Sequence, residues 1–69
     1  MAVAGGMTTA YWCRLVDGRM SIERTTYPTQ MCAKVEDAIA AMERGERCTV
    51  ASADMPDLHA RMREKQATA

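Results

Sequence analysis

The sequence predicts a small α+β domain with the element order β-β-α-β-α, and three observations support this prediction. An Asp-Gly pair, Asp17-Gly18, separates two runs of alternating residues, which is typical of a β-hairpin. An apolar stripe at helical period follows the hairpin, and a short strand and a second helical segment come after it. We expect a three-stranded antiparallel sheet in the order 2-1-3, with one helix across one face and a shorter C-terminal helix.

The register of the hairpin follows from its turn. Closure at Asp17-Gly18 pairs Val16 with Arg19 and, four pairs further on, Trp12 with Glu23. One face then carries mainly apolar side chains: Tyr11, Cys13, Leu15, Met20 and Ile22. The other face carries Trp12, Arg14, Val16, Arg19, Ser21 and Glu23. A slip of one residue would expose the apolar set, so we expect this register, which places the only tryptophan on the polar face.

Two helices and one further strand complete the prediction. Pro28 suits a helix start, and Thr26 or Thr29 can cap it. The stripe of the first helix is Met31, Val35, Ala38, Ile39 and Met42, and Gly45 is expected to stop that helix. Cys48 and Val50 alternate with polar neighbours in the third strand. The last helix is capped by Ser52 or Asp54, has Pro56 in its first turn, and has the thin stripe Met55, Leu58 and Met62.

Length and composition predict one folded domain. We expect a flexible leader at 1–7, a single α+β domain at 8–66 and a frayed tail at 67–69. The apolar fraction of 48% argues against disorder. Nine basic residues balance nine acidic residues, so neither a strongly basic nucleic-acid binder nor an acidic mimic is indicated by the overall charge.

The cysteine count and the absence of targeting patterns predict a cytoplasmic location. Three cysteines without C-x-x-C spacing do not resemble the disulfide framework of a small secreted domain. The sequence has neither the pattern of a signal peptide nor an apolar run long enough to span a membrane. We therefore expect reduced thiols and no membrane partner.

The sequence offers weak support for metal binding and for catalysis. Cys13, Cys32, Cys48 and His59 form a Cys₃His set by count, although their spacings match no zinc motif. A zinc-stabilised module is thus the third hypothesis, and three buried cysteines with a solvated histidine are the simpler interpretation. A single histidine with no cysteine or serine nearby in sequence offers no nucleophile–base pair. We expect no enzyme and no cofactor.

Nucleic-acid binding is the alternative functional hypothesis. Trp12, Arg14 and Arg19 on an open sheet face have the chemistry of a stacking platform with phosphate-binding guanidinium groups. A secondary basic patch lies in the last helix and comprises His59, Arg61, Arg63 and Lys65. The zero net charge and the position of Glu23 opposite Trp12 weigh against this hypothesis.

Protein binding is the favoured hypothesis. Tryptophan and arginine are the residue types most enriched at interface hot spots, and the predicted partner-binding set is Trp12, Arg14, Val16, Arg19 and Glu23. The expected function is that of a non-enzymatic phage or bacterial inhibitor or regulator that covers a surface of a larger host complex. Anti-CRISPR proteins are one such group, although no motif here indicates membership. A second copy of the chain, bound through this face or a sheet edge, is a further candidate partner. The competing interpretation is that Trp12 only packs against neighbouring side chains.

Overall fold

The computed structural model describes residues 6–67 and confirms the α+β prediction. The elements are β1 (Met7–Val16), β2 (Arg19–Pro28), α1 (Val35–Glu43), β3 (Cys48–Ala51) and α2 (Met55–Ala67). The strands form one sheet in the order β2-β1-β3, and β1 is antiparallel to both neighbours. The predicted strand order and directions are therefore correct.

The hairpin has the predicted register and is longer than the alternation indicated. Asp17 (φ 53°) and Gly18 (φ 79°) both adopt the left-handed conformation that a type I′ turn requires. Pairing runs from Val16–Arg19 at the turn to Met7–Pro28 at the open end. β1 thus starts one residue before the predicted domain boundary. Residues 1–5 of the predicted leader and residues 68 and 69 of the predicted tail lie outside the described residues.

The predicted start of the first helix is wrong. Pro28 ends β2, and a single 3₁₀ turn, Thr29–Met31, follows it. The backbone N–H and the hydroxyl of Thr29 both donate to the carbonyl of Gly6, at 3.0 and 2.8 Å, and so prolong the contact between the two strand ends. The helix begins only at Val35, and Met31 is 65% exposed rather than part of the stripe. As a result α2, predicted to be the shorter helix, has 13 residues against 9 in α1.

Both described helices pack against the same face of the sheet, which we call the inner face. The buried residues of α1 are Val35, Ala38, Ile39 and Met42, and those of α2 are Met55, Leu58 and Met62. These side chains form one cluster with Cys13, Cys48 and Val50 of the strands. Gly45 (φ 83°) ends α1, and its N–H donates to the Met42 carbonyl at 2.9 Å.

A second 3₁₀ turn, Ser52–Asp54, joins β3 directly to α2. The predicted capping residues Ser52 and Asp54 therefore precede the helix in this turn, and Pro56 lies in the first turn of α2 as predicted. Neither helix within residues 6–67 is long and apolar enough to span a membrane.

Candidate functional site

The opposite face of the sheet, which we call the outer face, holds an aromatic and cationic cluster. The ring of Tyr27 meets the indole of Trp12 edge-on, with ring centroids 5.3 Å apart and an interplanar angle of 74°. The guanidinium carbon of Arg47 lies 4.4 Å from the centroid of the Trp12 ring. We call Trp12, Tyr27 and Arg47 the Trp12 cluster. It joins residues from three separate parts of the chain.

The strand registers bring these three side chains together. Tyr27 pairs with Thr8, which lies four residues before Trp12 on β1, so the two rings point to the same face. Trp12 pairs with Thr49 of β3. Arg47 immediately precedes β3 and lies two residues before Thr49, so its side chain falls on the outer side, beside the indole.

The Trp12 cluster packs part of the outer face. Ala10 is completely buried and Thr49 is 5% exposed, although both lie on the face opposite the helices. Ala10 is two residues from Trp12, and its partner Thr25 is two residues from Tyr27, so the two rings flank it. An aromatic pair contributes about 0.5–1.5 kcal/mol and an exposed cation–π contact about 0.5–1 kcal/mol. Trp12 itself remains half-buried.

The other predicted partner-binding residues extend from the Trp12 cluster towards the turn. Alternation places all of them on the outer face, and all are exposed: Arg14, Val16, Arg19 and Glu23. Val16 is an exposed apolar residue, with 46% of its surface accessible. Together with Arg47, three guanidinium groups share this face with the single carboxylate of Glu23. The described part of the outer face is therefore positively charged.

Two members of this site were missed by sequence reasoning. The predicted cationic neighbours of Trp12 were Arg14 and Arg19, whereas the guanidinium on its ring belongs to Arg47. Continuing the hairpin register four pairs past Trp12–Glu23 would have placed Tyr27 on the same face. Arg47 is 35 residues from Trp12, and only the pairing of β3 with β1 brings it close.

The secondary basic patch lies on the helical side of the sheet, away from the Trp12 cluster. Arg61 pairs with Asp57 at 3.2 Å, and Lys65 pairs with Glu43 at 2.7 Å. His59 lines a cleft of about 400 Å³ between α2 and the inner face, beside Tyr11. Arg63 is exposed on α2. The two predicted sets of basic residues thus do not form one continuous surface.

The cysteines are spread through the fold. Cys13 and Cys48 are buried and directly opposite one another in the β1–β3 pair. The Cys32 thiol lies 3.6 Å from the carbonyl of Pro28, and His59 is exposed on α2. Among the described residues, no group of three or more histidine, cysteine or acidic side chains is placed to hold a metal. The Cys₃His set is not brought together.

The thiols are held in their protonated form. Burial, assisted by the neighbouring Cys48, raises the pKa of the Cys13 thiol to about 11. Burial also raises the pKa of Cys48, and burial followed by the charge of Asp54 raises that of Cys32. Because the thiolate is the nucleophilic form, these groups have the chemistry of small apolar residues.

In comparisons with known proteins, no protein-family model, no curated protein and no solved structure matches this chain.

Proposed function

We propose that this protein is a non-enzymatic binding module that attaches to an acidic surface of another protein through its outer sheet face. The observation that carries this proposal is the Trp12 cluster: a half-buried indole fixed by Tyr27 and Arg47 on the face away from both helices. A rigid aromatic anchor with arginines at its margin has the composition of an interface hot spot. Fixing the indole before binding also lowers the entropy lost in the complex.

The charge of the outer face defines the kind of partner. Arg14 and Arg19 are exposed and lie between the Trp12 cluster and the turn, and Glu23 is the one carboxylate among them. Guanidinium groups form bidentate hydrogen bonds with carboxylates, so clustered aspartate or glutamate side chains on the partner fit this surface. The apolar surface of Val16 extends the contact beyond the charged groups. A small inhibitor or regulator that covers a surface of a larger complex would use such a face.

Protein binding is favoured over nucleic-acid binding by the surroundings of Trp12. A base that stacks on an aromatic residue needs a free ring face, and Arg47 occupies one face of this indole. The basic residues of α2 lie on the helical side, and two of them already pair with carboxylates. Arg14 and Arg19 are then the exposed cations beside the Trp12 cluster, and phosphate affinity depends on the number of such contacts.

The test compares two charge reversals of exposed arginines in a co-purification from cells that contain the native partner. Arg14→Glu lies on the outer face, and Arg63→Glu on α2 is the matched control. We expect a protein that is retained by the wild type and by Arg63→Glu and is lost from Arg14→Glu. Trp12→Ala is expected to weaken binding of the purified partner by at least about 2 kcal/mol, or roughly 30-fold.

Two outcomes would contradict the proposal. If Arg63→Glu abolishes binding and Arg14→Glu does not, the partner uses α2. If nuclease treatment removes all bound material and affinity falls steeply with salt concentration, the ligand is a nucleic acid.

A further inference from the structure

The edge of β2 that points away from β1 is long and unpaired in the described structure. β2 has ten residues and lies at the end of the strand order, so only its β1 side is hydrogen-bonded. The other edge of the sheet is much shorter, because β3 has four residues, and the backbone N–H of Ala33 already donates to the Thr49 carbonyl there, at 2.8 Å. Exposed strand edges pair readily with further strands.

The type I′ turn determines which backbone groups of β2 point outward. In a two-residue hairpin, the two residues that flank the turn form both backbone N–H···O=C bonds with each other. Hydrogen-bonded and non-hydrogen-bonded pairs then alternate along the two strands. The Val16–Arg19 pair flanks the turn here. Outward N–H and C=O groups therefore belong to Met20, Ile22, Arg24 and Thr26. Pro28 falls on the same outward set and has no N–H to offer.

The two halves of this edge differ in what they can accept. Beyond Glu23, Arg24 places a charge on the inner side and Pro28 interrupts the donor row, and both are features that block edge pairing in natural sheets. The half near the turn has no such protection. It offers the half-buried Met20 and the 40% exposed Ile22 on the inner side. A partner strand thus fits best along Arg19–Glu23.

We infer that the protein forms a symmetric homodimer in which the Arg19–Glu23 segments of two β2 strands pair antiparallel about Ser21. The sequence of this segment is self-complementary in that one register. Arg19 of each copy faces Glu23 of the other on the outer side, and Met20 of each faces Ile22 of the other on the inner side. The result is a continuous six-stranded sheet with β2 of each copy at its centre.

Neighbouring registers are less favourable. The outward N–H and C=O groups of one copy must pair with the outward groups of the other. The allowed registers therefore differ by one residue in the position of the symmetry centre. A register centred on Glu23 places the two Glu23 carboxylates directly opposite each other. A register centred on Arg24 places the two Arg24 guanidinium groups directly opposite each other. Centring on Ile22 brings no opposite charges face to face. Pairing about Ser21 alone forms two ion pairs.

This inference does not rest on the proposed function. The dimer places Arg19 and Glu23 in ion pairs between the copies, and it leaves Arg14 and the Trp12 cluster of each copy on the open outer face of the larger sheet. Its test needs no partner protein, so either proposal can fail without the other.

The test is sedimentation equilibrium of the full chain and of charge variants over micromolar to millimolar concentrations. We expect the wild type to dimerise. Glu23→Arg places like charges in both symmetric contacts and should raise the dimer dissociation constant at least about tenfold. The double variant Arg19→Glu with Glu23→Arg restores opposite charges and should return the constant to within about threefold of the wild type. Glu36→Arg, the same charge change at an exposed position of α1, should have no effect.

A proline pair tests the edge itself. Ile22→Pro removes an outward N–H inside the paired segment without removing a hydrogen bond to β1, and it should abolish the dimer. Thr26→Pro removes an outward N–H outside that segment and should leave the dimer intact; circular dichroism verifies that both variants fold. A wild type that stays monomeric at millimolar concentration would overturn the inference. So would a dimer that persists in both Glu23→Arg and Ile22→Pro.

Discussion

The two faces of this sheet are built from the same strands and are covered in different ways. On the inner face, two helices seal a cluster in which Met42, Leu58 and Cys13 are at most 1% exposed. On the outer face, Ala10 and Thr49 are buried beside the Trp12 cluster, whose indole is only half-buried. The comparison teaches that the inner face carries most of the burial and hence of the stability, and that the outer face stays accessible to solvent.

The largest expected effect comes from removing a buried side chain of the inner face. Leu58 is fully buried, so Leu58→Ala leaves a cavity and should lower the free energy of unfolding by about 2–5 kcal/mol. A domain of this size has little stability to lose, and the variant is expected to be partly unfolded at room temperature. Urea unfolding followed by circular dichroism measures the change. Met31→Ala, at a 65% exposed position, is the control and should have little effect.

The buried thiols predict a pH dependence that also belongs to the inner face. The pKa of Cys13 is raised from 9.0 to about 11 in the folded protein. The unfolded chain therefore loses this proton first, so the thiol's contribution to stability is intact below pH 9 and is lost as the pH rises towards 11. Between these limits the free energy of unfolding, measured with urea, should fall more steeply with pH for the wild type than for Cys13→Ala, because only the wild type carries this buried thiol. If the free energy of unfolding falls equally with pH in the wild type and in Cys13→Ala, Cys13 is not buried as a thiol.

Truncation on the outer face should cost less stability. Trp12→Ala removes the aromatic pair and the cation–π contact, which together predict a loss of about 1–2.5 kcal/mol. The variant should keep its circular dichroism spectrum and unfold at a lower urea concentration. A loss as large as that of Leu58→Ala would place Trp12 in the core and would remove the distinction between the faces.

The smallest effect is expected from removing the Arg47 guanidinium group that lies over the indole. Arg47→Met keeps an apolar stem of similar length and removes the guanidinium group 4.4 Å from the ring centroid. The free energy of unfolding should fall by about 0.5–1 kcal/mol. Arg63→Met on α2 is the matched control. A larger loss from the control would show that the contact with Trp12 is not what stabilises this part of the sheet.

The hairpin was predictable because two local features agree. Asp17-Gly18 fixes the turn, and the alternation of Cys13 and Trp12 fixes which face each strand residue occupies. The start of α1 was not predictable from Pro28, because a proline is equally at home at an edge-strand position whose N–H bonds to no neighbour. The hydrogen bonds from Thr29 to Gly6 then prolong the strand contact past that proline.

The candidate site was predictable only in part, for a similar reason. Every side chain of the predicted set reached the outer face because that requires only the hairpin register. Arg47 reached Trp12 through the pairing of β3 with β1, a long-range contact that the local pattern does not specify. The identity of the cation on the indole is therefore a property of the tertiary structure.

Fluorescence quenching of Trp12, the only tryptophan, tests the central claim most directly. If the indole is an accessible part of a positively charged face, the ratio of iodide to caesium quenching at equal ionic strength should exceed that of free tryptophan, and Arg47→Met should lower this ratio. An emission maximum between those of buried and free tryptophan should accompany it. A blue-shifted emission that neither ion quenches at any protein concentration would place Trp12 in the core and contradict the account of the outer face as the binding surface.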